Sequence, residues 1–159
     1  MFKRLPFIVV GLALTAACAE PGAPIETAPV TPRYTAASSQ LTANAIQPIP
    51  VRAYQAKTDT TARQELVGVS CEVNTAFYSA DVVTPAIVQL PSFARQTPAV
   101  SLVCTHDGQT RTEIIEPFNK TVSERTASAG GGLLAYALVA AATNADNSVY
   151  SYRTLSVDF

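Results

Sequence analysis

The stretch that most restricts the folds open to this chain is Val100 to Pro117, VSLVCTHDGQTRTEIIEP, which reads as a β-hairpin. Val100, Leu102 and Cys104 alternate with Ser101, Val103 and Thr105, Asp107-Gly108 forms the turn, and Arg111 to Ile115 runs back. A two-residue Asp-Gly turn requires positive φ, which glycine adopts without a Cβ clash and aspartate tolerates.

The address of the chain is written at its start. In MFKRLPFIVVGLALTAACAEPG, Lys3 and Arg4 precede an apolar run from Leu5 to Ala17 and a small-residue site ending at Cys18. A charged head, a short apolar middle and a small-residue end make residues 1–17 an export signal, too short to span a bilayer comfortably as a mature helix. Leu14-Thr15-Ala16-Ala17-Cys18 resembles the bacterial lipobox, in which cleavage leaves an acylated cysteine as the first residue, here Cys18. Thr15 departs from the Leu of that pattern. The alternative is cleavage after Ala17-Cys18-Ala19, which gives a soluble periplasmic protein. Several acyl chains anchor stably where one binds only marginally. Ala19, where enteric bacteria place Asp to retain lipoproteins in the inner membrane, resembles an outer-membrane address.

The full chain carries 11 basic and 12 acidic side chains, and loss of Lys3 and Arg4 with the signal leaves 9 against 12. Without a basic cluster or stripe, a nucleic-acid partner lacks its electrostatic footprint. The mature length suits one small domain with a tail.

From Cys18 to Pro50 the chain holds Pro21, Pro24, Pro29, Pro32, Pro48 and Pro50 and no apolar period, which predicts a disordered, partly extended tether holding the domain off the membrane. Residues 51–65 are an undecided lead-in, either an edge strand or a short helix from Thr60. The domain proper is expected over 66–159. In ELVGVSCEVN, Val67, Val69, Cys71 and Val73 share one side of a strand. FYSADVV makes a second strand ending at Thr84-Pro85, Ala86 to Leu90 a third closed by Pro91, and Ser92 to Pro98 a loop. After a polar stretch from Asn119, Thr126 or Ser128 is placed to cap a helix running through AGGGLLAYALVAAAT, apolar all round and therefore expected to lie buried across a sheet. VYSYRTLSVDF closes as a strand with Val149, Leu155, Val157 and Phe159 on one face.

Export sets the expectation for Cys71 and Cys104, since two thiols in one small exported domain meet oxidising conditions. Both lie on the apolar side of their strands, so neighbouring strands bring them within disulfide range. A spaced pair of this kind lacks the Cys-x-x-Cys arrangement of redox centres.

Groups that could carry chemistry are sparse. His106, the one histidine, stands beside Asp107 in a tight turn, where adjacent side chains diverge; it reads as a solvated turn residue rather than a base or a metal ligand. Glu113 and Glu116 find no facing partner for glycosidic acid–base work and read as surface charges. Gly130-Gly131-Gly132 lacks the Lys of a phosphate loop and is assigned to packing. Tyr150 and Tyr152 could form an exposed strip or pack across strands. No catalytic residue, cofactor or metal site is expected.

VGVSCEVN, VVTPAIVQLP, VSLVCTHDGQT, GGGLLAYAL and NADNSVYSYRTLSV together resemble a group of small alphaproteobacterial lipoproteins with a PEGA-like region, over roughly Leu66 to Phe159. Arg153 replaces the group's proline after the second Tyr, and Asn147-Ser148 stands in place of Gly-Ala. The resemblance implies a small β-sandwich of the cell envelope and brings no catalytic residues.

The expectation is a mainly β, antiparallel sandwich-like domain with one Ala/Gly-rich helix, α+β overall, joined by Cys71–Cys104. Its expected role is that of a non-enzymatic outer-membrane lipoprotein, anchored through Cys18 and meeting an envelope protein or glycan. The alternative is a periplasmic ligand-binding protein with its pocket between helix and sheet.

Overall fold

A computed structural model describes residues 24–159; Cys18 and the export signal lie outside the described residues. The elements follow in the order β1 (Arg33–Tyr34), a 3-10 turn (Ala36–Gln40), β2 (Ala45–Gln55), β3 (Gln64–Leu66), β4 (Ser70–Asn74), β5 (Tyr78–Val83) and β6 (Ala86–Ser92). They continue with β7 (Val100–His106), β8 (Gln109–Ile115), β9 (Phe118–Asn119), α1 (Lys120–Ser128), α2 (Leu133–Ala142), a second 3-10 turn (Ala145–Asn147), β10 (Tyr150–Ser151) and β11 (Leu155–Asp158).

The hairpin forms as the sequence requires. His106 pairs with Gln109, and Asp107 (φ 47°) and Gly108 (φ 75°) both take the left-handed region of the turn. Around it β1-β5-β4-β7-β8 make one sheet. Val69, Cys71 and Val73 turn inward, as do Tyr78, Ala80 and Val82 on β5 and Val100, Leu102 and Cys104 on β7. Val67 does not join them: Gly68 at φ 85° swings the chain and leaves it exposed.

The second sheet overturns the expected boundaries. The Pro-rich stretch is not a tether to Pro50, because from Val30 onward it is built into the fold. Val30 bridges Val88, and β2 lies inside the second sheet, antiparallel to β6 and β3 and parallel to β11. Proline is admitted here by position. The backbone groups of Ile87 and Gln89 are spent on Val30, so the residues opposite them, Pro50 and Pro48, stand where β6 asks for no donor. Pro91 likewise sits inside β6, opposite Ile46, rather than ending it.

The inner faces of the two sheets meet in one core, with Ile49, Val51 and Ala53 of β2, Val88 and Leu90 of β6, and Leu155 and Val157 of β11 facing β4, β5 and β7. Val149 and Phe159, expected to share the closing strand's face, lie beyond the ends of β11. The described residues are thus mainly β, with several antiparallel pairings and two α-helices among them.

The helical region departs further from expectation. The polar stretch after Asn119 forms α1, capped by Asn119, whose Oδ1 accepts from the Val122 amide at 2.9 Å; Thr126 and Ser128, expected to cap a helix, lie within α1. Gly130, Gly131 and Gly132 join α1 to α2 with φ of 90°, 73° and 89°. Nothing stands within 4 Å of a Cβ built on any of them, so left-handed backbone, not close packing, explains the three glycines. α2 is not laid across a sheet. It packs beside α1, and none of its residues is buried.

Candidate functional site

Cys71 and Cys104 face each other directly in the β4–β7 register, with Cα atoms 4.1 Å apart and an S–S bond of 2.06 Å. Both are buried, so the bridge staples two core strands and offers no accessible sulfur for exchange. Cys18 lies outside the described residues.

His106 leans its ring against Phe159, centroids 5.5 Å apart, and its Nε2 lies 3.5 Å from Asp107 Oδ2. Those contacts hold it to the surface of the hairpin end. Among the described residues no group of three or more His, Cys, Asp or Glu side chains comes together to hold a metal. Glu113 and Glu116 are exposed at the end of β8, an edge strand.

Tyr150 and Tyr152 do not form a strip. Tyr152 is buried and donates from Oη to the Pro98 carbonyl at 2.5 Å. Its single proton is thereby used, so Tyr78 is the donor across the 3.1 Å contact between the two hydroxyls. Burial, more than any other cause, pushes the Tyr152 phenol up to about 12 and raises the Tyr78 phenol further. Two neutral hydroxyls in a chain ending on a carbonyl are a structural clasp between β5 and the segments before β7 and after β10. Even spacing of Tyr150 and Tyr152 could not reveal it, because the chain leaves strand geometry at Ser151.

An open groove of about 550 Å³ runs between Thr27–Val30 and the end of the five-stranded sheet, past Glu72, Asp81, Val83 and Thr105. Glu72 and Asp81 stand directly opposite each other, a like-charge pairing that Arg33 relieves by donating to Asp81 Oδ2 at 2.6 Å. That contact is also the first cause of the raised Arg33 pKa. A smaller hollow of about 280 Å³ near Asn44 and Phe93 is spanned by the Arg95–Asp146 ion pair at 2.7 Å. Neither cavity draws a residue from α2.

The most distinctive surface is α2 itself. Leu133 is 91 % exposed, Leu134 76 %, Leu138 65 % and Tyr136 52 %. Only Ala135, Val139 and Ala140, at helical spacing, are half-covered. Residues 133–142 carry no charge, and no described helix is long and apolar enough to cross a membrane. Sequence reasoning found this helix but not its exposure, since an all-round apolar pattern reads the same whether a helix is enclosed or uncovered. Under it, Thr126 Oγ1 on α1 is buried without a hydrogen-bond partner.

Searches for similarity to protein-family models, to curated proteins and to solved structures return no match for this chain.

Proposed function

We propose that this chain is a non-enzymatic module of the bacterial envelope, held at the periplasmic face of the outer membrane by an acylated Cys18 and acting through surface contact, as the likeness to PEGA-like lipoproteins also implies. The observation that supports a contact role is α2, a ten-residue apolar helix standing uncovered on a disulfide-joined sandwich. Apolar surface of this kind, on a molecule that has already enclosed its core, marks a place where something else docks. The test is metabolic labelling with a fatty-acid probe: the wild-type chain takes up label and the Cys18→Ser chain does not. Label persisting on Cys18→Ser refutes the anchor.

A second reading, a periplasmic ligand-binding protein, is favoured by the groove beside Glu72 and Asp81. The groove would be its site. Charge reversal at Glu72 should abolish retention of a cationic ligand if this reading holds.

A further inference from the structure

We infer that α2 lies in the bilayer interface, seating the domain on the membrane to which its first residues tie it. This rests on the reading of Cys18 as the anchor. Because the fold first hydrogen-bonds the chain at Val30, the leash from Cys18 has twelve residues and reaches at most about 40 Å. The domain is therefore never far from the lipid. A leash this short sets an effective concentration in the millimolar range, at which a contact too weak for free association is populated.

The leash reaches the correct end of the molecule. Thr27 lines the groove with Ser70, Val83 and Ala86. At the other end of β6 the segment that follows α2 is held, where Asn44 donates to the Ser148 carbonyl and Ser92 accepts from the Tyr150 amide, and Lys120 at the start of α1 reaches Gln47 Oε1, beside Leu90 of β6. β6 is seven residues long, about 20 Å, within the span of the leash. So Cys18 and α2 can meet the same surface.

Size and composition select lipid over a second copy. A ten-residue helix offers a face about 15 Å by 10 Å, so two copies meeting there bury on the order of 300 Å², well under the ~1,200 Å² of specific protein interfaces. Exposed leucines beside Tyr136 suit the boundary of headgroups and acyl chains, where tyrosine rings sit at headgroup level.

The chain has no tryptophan, so a single introduced indole reports its own surroundings. Full-length Leu134→Trp, purified from membranes and reconstituted in phosphatidylethanolamine–phosphatidylglycerol vesicles with brominated acyl chains, should emit at shorter wavelength and be quenched several-fold. Val67→Trp, 73 % exposed at the leash end, should stay in water. Equal, water-like emission from both, or quenching of Val67→Trp alone, overturns the inference. So does a blue shift of Leu134→Trp without vesicles that accompanies a doubled sedimentation mass, which assigns α2 to a second copy. Mass analysis of the same preparation separates the two claims: absence of acyl groups refutes the anchor, and quenching on added vesicles still decides the docking of α2.

Discussion

The residues that hold the interior together differ in how openly the sequence displayed them. Cys71 and Cys104 were legible because period-2 parity placed each on an apolar face, and the register sets them opposite. The Tyr152–Pro98 and Tyr78–Tyr152 bonds were not, since neither partner is fixed by local pattern. Replacing Tyr152 by Phe leaves the half-buried Pro98 carbonyl and the buried Tyr78 hydroxyl without their partner and should cost about 1–3 kcal/mol in denaturant unfolding. Alkali tests the same clasp. With folded pKa values raised above the ordinary tyrosine value, the unfolded chain releases phenolic protons that the folded chain retains. The stabilisation is therefore complete below pH ~10 and is lost as pH rises through about 12. Phenolate absorbance should show two of the six tyrosines ionising only together with unfolding. Thr126→Val removes a buried hydroxyl that has no partner and should leave stability unchanged or raise it by about 1 kcal/mol.

Among the elements, the hairpin was the most legible, because turn chemistry and alternation agree there. β2 was the least legible, because Pro48 and Pro50 read as breakers until their neighbours show that each falls where no donor is needed. Moving a proline by one position exposes the rule. Ile49→Pro places the missing donor on the side facing β6 and removes a buried side chain, and should cost about 3 kcal/mol or more, whereas Pro48→Ala should change stability by under about 1 kcal/mol. Thermal unfolding of the two variants measures the difference. α2 was legible as a helix from its Ala and Leu content, but what covers it is a tertiary fact that periodicity does not carry. Ten residues are too few for a stable helix in isolation, and its support within the chain comes from α1, including the Arg125 guanidinium donating to Thr143 Oγ1 at 3.3 Å.

For the molecule as a whole, the fold class was readable while the boundary was not. A chain begun at Val51 loses half of a strand that pairs with β6, so it should fail to fold, as a collapsed near-ultraviolet dichroism spectrum would reveal. The Cys71–Cys104 bridge closes a long loop, since its cysteines are 33 residues apart; reduction or Cys71→Ala/Cys104→Ala should lower stability by about 3–4 kcal/mol.

If Cys18 is the anchor proposed above, the short leash and the uncovered apolar helix describe a domain that rests on a membrane rather than one suspended above it. Hydrogen–deuterium exchange on the unaltered full-length chain, with and without phospholipid vesicles, tests this most directly, because a marginal exposed helix exchanges quickly until it is docked. The amides of residues 133–142 should exchange several-fold more slowly on vesicles while those of 64–70 keep their rates. Equal exchange of residues 133–142 in the two conditions would contradict the account.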